Sequence, residues 1–146
     1  MIYTEMTQKA MKIAYEAHLG QYDKGGVPYI FHPTHLAEQM ETEATATAAL
    51  LHDVVEDTPL TIEDLRRAGI SEEVLTAVEL LTHKKDTDYF EYVRAIKKNP
   101  VARAVKIADL RHNTDPTRLC DDEHIRFKTE RYYYPALRYL LEEEDV

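Results

Sequence analysis

Apolar residues recur at helical spacing along almost the whole sequence, and few stretches alternate as a strand would. Three of the four glycines fall between residues 20 and 26, which predicts one long loop in an otherwise helical chain. At 146 residues the chain has about the size of one domain, and it contains no repeat or low-complexity linker. We therefore expect an all-α fold, formed as a single helical bundle over residues 1–146.

Capping residues, glycines and prolines set the expected helix limits. Thr4 or Thr7 begins the first helix and Gly20 ends it, while Pro33 begins the second helix. Pro135 predicts a kink in the last helix. The expected helices cover about residues 4–18, 33–40, 44–55, 62–68, 72–81, 88–98, 101–113 and 122–141.

Composition excludes several classes of protein. There is no run of 18 apolar residues, so we expect no membrane span, and the N-terminus lacks the basic and apolar regions of a signal peptide. The single cysteine, Cys120, is interpreted as a bystander thiol that suits the cytoplasm. A net charge of −9 argues against a nucleic-acid polymer as partner, although a small phosphorylated molecule remains compatible with it. Residues 142–145 look like a solvated acidic tail.

The segment Ala46–Asp57 begins as a helix rich in Ala and Leu and then places four ionisable side chains within six positions. Such groups are rarely buried unless they are paired or bound to a metal. On a continuous helix Glu56 lies one turn beyond His52, and Asp57 lies one turn beyond Asp53. His52 and Asp53 diverge by about 100° around the axis, but both can lean toward one cation. For this segment alone, solvated charges at a helix end are the alternative.

Two further ionisable residues stand in apolar surroundings. Asp109 lies in the apolar stretch from Val105 to Leu110, where a buried carboxylate requires a partner. His32 lies at the expected N-terminus of the second helix. Together with His52 and Asp53 they offer two imidazoles and two carboxylates. This ligand set suits Mn²⁺, Fe²⁺ or Zn²⁺ and leaves positions open for water and substrate.

Four stretches contain these candidate residues or lie close to them in the sequence: A-H-L-G-Q-Y at 17–22, G-V-P-Y-I-F-H-P at 26–33, A-A-L-L-H-D-V-V-E-D-T at 48–58 and V-K-I-A-D-L-R-H-N at 105–113. In their order and spacing they resemble the HD superfamily of metal-dependent phosphohydrolases. Within that superfamily the chain is similar to the hydrolase domain of RelA/SpoT-type alarmone enzymes and their small stand-alone relatives. The resemblance implies hydrolysis of guanosine tetra- or pentaphosphate (ppGpp or pppGpp) at the 3′ position, with release of pyrophosphate.

The resemblance also implies roles for individual residues. A divalent metal, with Mn²⁺ preferred over Fe²⁺, Zn²⁺ or Mg²⁺, would be bound by two histidines and two aspartates. An acidic pair would activate and orient the attacking water, and a lysine and an asparagine would contact the nucleotide. A further arginine and lysine near Asp109 are candidates for contact with the substrate. These residues are His32, His52, Asp53 and Asp109 for the metal, Glu56 and Asp57 for the water, and Lys24, Asn113, Arg111 and Lys106 for the substrate.

The sequence departs from the family pattern on the nucleotide side. Asp23 stands where the family has a basic residue, and Gly25 stands where it has serine. Arg111 follows Leu110 in the reverse of the usual order, and Pro116 replaces a hydroxyl-bearing residue. The alternatives are therefore a phosphohydrolase of the same fold that acts on another nucleotide or small phosphate ester, or a nucleotide-sensing module without catalysis.

Other polar and aromatic residues have structural interpretations. His18 and His35 are expected to be hydrogen-bonded structural histidines. His112, three residues after Asp109, is interpreted either as a site residue or as a group that caps the helix or orients a ligand. In the run of tyrosines at 132–134 at least one ring is expected in the core, with base stacking as the alternative.

Overall fold

Helices form the regular structure of residues 1–118 and 122–142, the parts of the chain that this computed structural model describes. Cys120 and residues 143–145 of the expected acidic tail lie outside them. The helices are α1 (Glu5–Ala17), α2 (Phe31–Glu38), α3 (Glu43–Leu51), α4 (Val54–Asp57), α5 (Ile62–Arg67), α6 (Glu72–Leu81), α7 (Tyr89–Lys97), α8 (Pro100–Asn113), α9 (Glu123–Lys128) and α10 (Tyr134–Leu141), with a π-helical turn at Thr129–Tyr133. The expected all-α class is confirmed, because the described residues contain no strand.

Side-chain caps begin many of the helices. Thr4, Thr42 and Thr61 each form a capping box, in which the threonine hydroxyl accepts from the amide three residues later. Asp88 and Asn99 cap α7 and α8 through their side-chain oxygens. Local chemistry therefore fixes the start of α8, the helix that carries Asp109.

Helix α3 is the centre of the core. It packs against α1, α2, α6 and α8, and every residue from Ala46 to Leu51 is buried. The alanines allow the neighbouring helices to approach closely, while Leu50 and Leu51 fill the space between them. His52 follows directly after this buried segment, so the fold places it in the interior.

The expectation of one continuous helix from 44 to 55 is wrong. Helix α3 ends at Leu51, and a separate single turn, α4, begins at Val54. The Nδ1 of His52 lies 2.7 Å from the carbonyl oxygen of Ala49, the oxygen that a continuous helix would pair with the amide of Asp53. The imidazole therefore competes with the helical backbone at this point. Because of this break, Asp53 and the residues of α4 do not continue along the axis of α3.

The last helix is interrupted where Pro135 predicts a kink. The amide of Tyr134 bonds to the carbonyl of Thr129, five residues earlier, so Thr129–Tyr133 forms a π-helical turn. Proline has no amide hydrogen, and in an α-helix its ring would clash with the carbonyl of Arg131. The wider turn avoids that clash and lets α10 continue to Leu141.

The expected loop after α1 folds back on itself. Tyr22 and Pro28 form an isolated antiparallel bridge, and Gly26 between them has a φ of +81°, which glycine adopts without steric cost. This bridge presents Lys24 at the tip of the loop. None of the helices among the described residues is long and apolar enough to cross a bilayer.

Candidate metal centre and adjoining cleft

Three buried side chains from three helices converge on one point. His32 of α2, His52 after α3 and Asp109 of α8 are 3%, 2% and 5% exposed. The Nε2 of His32 lies 2.9 Å from Oδ1 of Asp109, and the Nε2 of His52 lies 3.5 Å from the same oxygen. One possible ligand atom from each residue lies within 4.8 Å of the others, a spacing that permits a shared cation.

Asp53 reaches the same centre from the break between α3 and α4. Its Oδ2 lies 2.9 Å from the Nε2 of His52 and also accepts a hydrogen bond from the hydroxyl of Tyr29. Burial raises the pKa of Tyr29, and the charge of Asp53 raises it further, so the phenol stays protonated and continues to donate. Tyr29 therefore fixes the orientation of Asp53.

The far nitrogens of both imidazoles are held by hydrogen bonds. The Nδ1 of His52 donates to the carbonyl of Ala49 at 2.7 Å, and the Nδ1 of His32 lies 2.6 Å from the Nδ1 of His112. Metal-binding histidines usually have such a partner at the nitrogen that does not bind the metal. The arrangement leaves the Nε2 atoms of His32 and His52 facing the carboxylates.

The His52 ring shows that a cation fits this position. Its Nε2 is buried, lies close to two carboxylates and makes no hydrogen bond within the described part of the chain. Burial opposes protonation, but Asp53 and Asp109 raise the pKa of His52 well above its usual value. The carboxylates thus favour a positive species beside this nitrogen. A divalent cation satisfies both carboxylates and the imidazole lone pair.

Asp109 is held in its ionised form by several donors. Its Oδ1 accepts from the side-chain amide of Asn113 at 3.1 Å, and its Oδ2 pairs with the Nζ of Lys106 at 3.0 Å. Burial opposes ionisation, but Lys106 and the two imidazoles hold the pKa of Asp109 well below its usual value. The side chain of Lys106 is itself only 12% exposed, and its Nζ lies 5.3 Å from the ring centre of Tyr92.

Glu56 and Asp57 lie next to Asp53, at the open side of the centre. One carboxylate oxygen from each of the three lies within 4.8 Å of the others. The Oε1 of Glu56 accepts from the backbone amide of His83 at 2.6 Å, and the side-chain amide of Gln21 donates to the carbonyl of Asp57 at 3.1 Å. Partial burial raises the pKa values of both carboxyls, and the charge of Asp53 raises them further.

A cleft of about 550 Å³ opens from this centre, within the range typical of sites for small ligands. Its lining includes several carboxylates and His52, together with tyrosines from α7 and from the π-helical turn. An adjoining depression shares part of its lining with the cleft. The shared residues are Tyr29, Asn113, Lys128 and Tyr133.

The residues expected to contact the substrate fall in different places. Lys106 and Asn113 line the cleft, and Lys24 lines the adjoining depression. Arg111 is exposed and is not among the residues that line either of them. One helical position separates it from the inward-facing Leu110, which is fully buried.

Asp23, which departs from the family pattern, has a structural role in the loop. Its Oδ1 accepts from the amides of Gly25 and Val27, and its Oδ2 lies 3.6 Å from Nη2 of Arg118. Arg118 also donates to the side-chain oxygen of Asn113 at 3.2 Å. A guanidinium group therefore stands beside the acidic residue and faces the same depression as Lys24.

Comparison with known families agrees with this geometry. The family profile described as "HD domain" matches residues 10–114, which include all the residues of the buried centre. This chain belongs to the HD-domain family. HD domains imply a divalent metal, and the buried His and Asp residues of this one could bind it.

Curated relatives of this HD domain are larger proteins. It is 38% identical over 119 residues to a GTP pyrophosphokinase of Streptomyces coelicolor and 36% identical over 123 residues to a guanosine-3′,5′-bis(diphosphate) 3′-pyrophosphohydrolase of Borreliella burgdorferi. It is 35% identical over 120 residues to the bifunctional (p)ppGpp synthase/hydrolase SpoT of Escherichia coli. These alignments cover 73%, 72% and 73% of this chain but only 14%, 18% and 17% of the relatives.

A solved structure shares the whole fold. The HD domain matches a metazoan ortholog of SpoT that hydrolyzes ppGpp with a TM-score of 0.75, over 100% of this chain and 90% of that one. The sequence identity is 22%, so the likeness shows the arrangement of the helices.

Sequence patterns alone did not identify several residues of this HD domain as part of its site. Tyr29, His83, Arg118 and Lys128 contact site residues or line the cleft or the depression. Tyr29 lies within the stretch that ends in His32 and Pro33, so its position was a usable signal. The sequence around His83, Arg118 and Lys128 carries no such signal, because only tertiary packing brings these residues to the site.

Proposed function

We propose that this HD domain removes the 3′-pyrophosphate from guanosine tetra- or pentaphosphate. Water would attack the phosphorus bonded to the ribose 3′ oxygen, the bond to that oxygen would break, and pyrophosphate and GDP or GTP would leave. The proposal draws on the names of the curated relatives and on the solved SpoT ortholog. The observation that carries it in this chain is the buried convergence of His32, His52 and Asp109 beside an open cleft.

In this proposal His32, His52, Asp53 and Asp109 hold a divalent metal, with Mn²⁺ as our preferred ion. The mixed nitrogen and oxygen set supports a borderline or harder divalent cation and is also compatible with Fe²⁺, Zn²⁺ or Mg²⁺. When bound, such a cation lowers the pKa of water and neutralises charge on phosphoryl oxygens.

Glu56 and Asp57 would act on the attacking water. Glu56 is anchored by the amide of His83, which leaves its second oxygen free to accept the proton of a water in the cleft. Its raised pKa brings the carboxylate nearer to the pH at which a general base is efficient. Asp57, held through its carbonyl by Gln21, would orient the same water.

The nucleotide would extend from the cleft into the adjoining depression. Asn113 lies at their junction, Lys24 lies in the depression, and Lys106 lies at the base of the cleft beside Asp109. Arg111, which is exposed, would contact only a part of the substrate that projects from the cleft. We also propose that the protein binds no nucleic-acid polymer, on the basis of its net charge of −9. A cytoplasmic location is part of the same proposal and rests on the single cysteine.

Hydrolysis of another nucleotide by the same machinery is a second candidate, and Asp23 favours it. An acid at the mouth of the depression repels a polyphosphate, but Arg118 lies 3.6 Å away and offsets that charge. The pairing makes the depression compatible with an anionic ligand, and for this reason ppGpp remains the first candidate.

The test is release of pyrophosphate from ppGpp by the purified, Mn²⁺-loaded protein, with nucleoside triphosphates, monophosphates and cyclic dinucleotides as competing substrates. The matched variant is Glu56→Gln, for which we expect loss of turnover by a factor of about 10² to 10⁴ with unchanged metal content. A wild-type protein that binds Mn²⁺ but releases no pyrophosphate from ppGpp would contradict the proposal. Release from another nucleotide would favour the second candidate.

A further inference from the structure

The cleft is lined by more acidic than basic side chains. Its lining includes five carboxylates and two lysines, and one of those lysines, Lys106, is already paired with Asp109 at 3.0 Å. Lys128, at the end of α9, is half-buried in the cleft wall. Within residues 1–118 and 122–142 its side chain makes no hydrogen bond or ion pair. An anionic ligand in this cleft would therefore meet one lysine that no described carboxylate engages.

Lys128 is the last residue of α9 and directly precedes the π-helical turn. Lys128 and Tyr133, the last residue of the turn, both line the cleft. Tyr132 faces the cleft with them and packs edge-on against Tyr89, with the ring centres 5.4 Å apart. Such turns occur frequently at functional sites. Lys128 and the turn after it therefore add one cation and two aromatic rings to the lining of the cleft that also contains the carboxylates.

Lys128 also lies at the junction between the cleft and the depression. It lines both of them, as do Tyr29, Asn113 and Tyr133. With the scissile phosphate at the metal centre and the nucleoside in the depression near Lys24, the ribose must pass this junction. The anionic group on the ribose that the metal centre does not take is then the 5′-diphosphate.

We propose that Lys128 binds the 5′-diphosphate of the nucleotide and so makes the domain selective for nucleotides that carry 5′ phosphates. This inference rests on the proposed function for the placement of the scissile phosphate. It adds Lys128, at the end of α9, to the residues proposed to contact the substrate.

The test measures binding rather than turnover. GDP carries the 5′-diphosphate but no 3′ phosphate, and guanosine carries neither. For Lys128→Gln in the Mn²⁺-loaded protein we expect affinity for GDP to fall about tenfold, the order expected for one charge-assisted hydrogen bond, while affinity for guanosine is unchanged. Lys128→Arg should retain most of the affinity for GDP because it keeps the charge. The matched control is Lys98→Gln, since Lys98 is an exposed lysine that does not line the cleft.

The same variants test selectivity in turnover. The KM for ppGpp should rise about tenfold in Lys128→Gln, and the KM for the analogue with a single 5′ phosphate should rise less. The inference is overturned if Lys128→Gln binds GDP as tightly as the wild type, or if Lys128→Arg loses as much affinity as Lys128→Gln. A wild type that releases no pyrophosphate from ppGpp contradicts the proposed hydrolysis instead, because the role of Lys128 is decided by the GDP measurement.

Discussion

The imidazoles of His32 and His112 meet Nδ1 to Nδ1 at 2.6 Å, with their ring planes within 5° of parallel. Burial lowers the pKa of His112 to about 4, helped by Arg118 and by the neighbouring histidines, so this ring is neutral at ordinary pH. A neutral His112 can accept the Nδ1 proton of His32. With a cation between the two groups, the Nε2 of His32 would then offer its lone pair beside Asp109, as a metal ligand requires. Of the interpretations open for His112, the geometry supports the one in which it orients a ligand.

Loss of this partner should weaken metal binding. For His112→Ala we expect affinity for Mn²⁺ to fall by a factor of about 10 to 100, the usual effect of removing the partner of a ligating histidine. Equilibrium dialysis with Mn²⁺ measures this, and His124→Ala, at an exposed position in α9, is the matched control. Equal Mn²⁺ affinities in the two variants would contradict an orienting role for His112.

The pH dependence of turnover should report the carboxyl of Glu56. Partial burial raises its pKa above the ordinary value of 4.5, so on lowering the pH Glu56 takes up a proton earlier than an exposed glutamate does. A protonated carboxyl cannot accept a proton from water, and kcat/KM should therefore decline on the acidic side at a pH above 4.5. A pH profile of the Mn²⁺-loaded protein that stays flat down to pH 4.5 would exclude Glu56 as the base.

The sequence predicts most of the fold because the signals that begin and end helices are local. The capping boxes at Thr4, Thr42 and Thr61 depend on side chains within three residues. The break at His52 was not predictable in this way, since the pattern up to Val55 is a good helix. It depends on a hydrogen bond between the His52 ring and the Ala49 carbonyl, which becomes favourable only when the ring is buried.

In the candidate site, too, the residues with local sequence signals could be predicted and those placed by tertiary contacts could not. The stretches around His32, His52 and Asp109 each carry the signal for the candidate metal centre within a few residues, so their convergence could be anticipated. Arg118 and Lys128 reach the depression beside the cleft only through the packing of the residues that follow α8. Nothing in the sequence next to them indicates that proximity, and the acidic Asp23 therefore suggested a repulsion that Arg118 offsets.

The pair formed by Asp23 and Arg118 gives a further prediction. Arg118→Gln should raise the KM for ppGpp about fivefold, corresponding to about 1 kcal/mol, because Asp23 would then face the phosphates uncompensated. Asp23→Asn in the same chain should recover part of that loss, and kcat should change little. Steady-state kinetics of the single and double variants measure the coupling, with Arg67→Gln on exposed α5 as the control. Additive effects of the two substitutions would show that the pair does not act on the substrate.

Metal binding should stabilise the fold through the buried centre. Mn²⁺ at 100 times its dissociation constant should add about 2.7 kcal/mol to the free energy of unfolding, because the ligand set is complete only in the folded chain. Asp109→Asn keeps the shape of the side chain but removes the charge that pairs with Lys106 and faces both imidazoles. For Asp109→Asn we expect a lower Tm without metal and no increase in the free energy of unfolding when Mn²⁺ is added. The control Asp86→Asn, at an exposed loop position, should keep the Mn²⁺-dependent increase. An increment that survives in Asp109→Asn would place the cation elsewhere, most simply at the second carboxylate group formed by Asp53, Glu56 and Asp57.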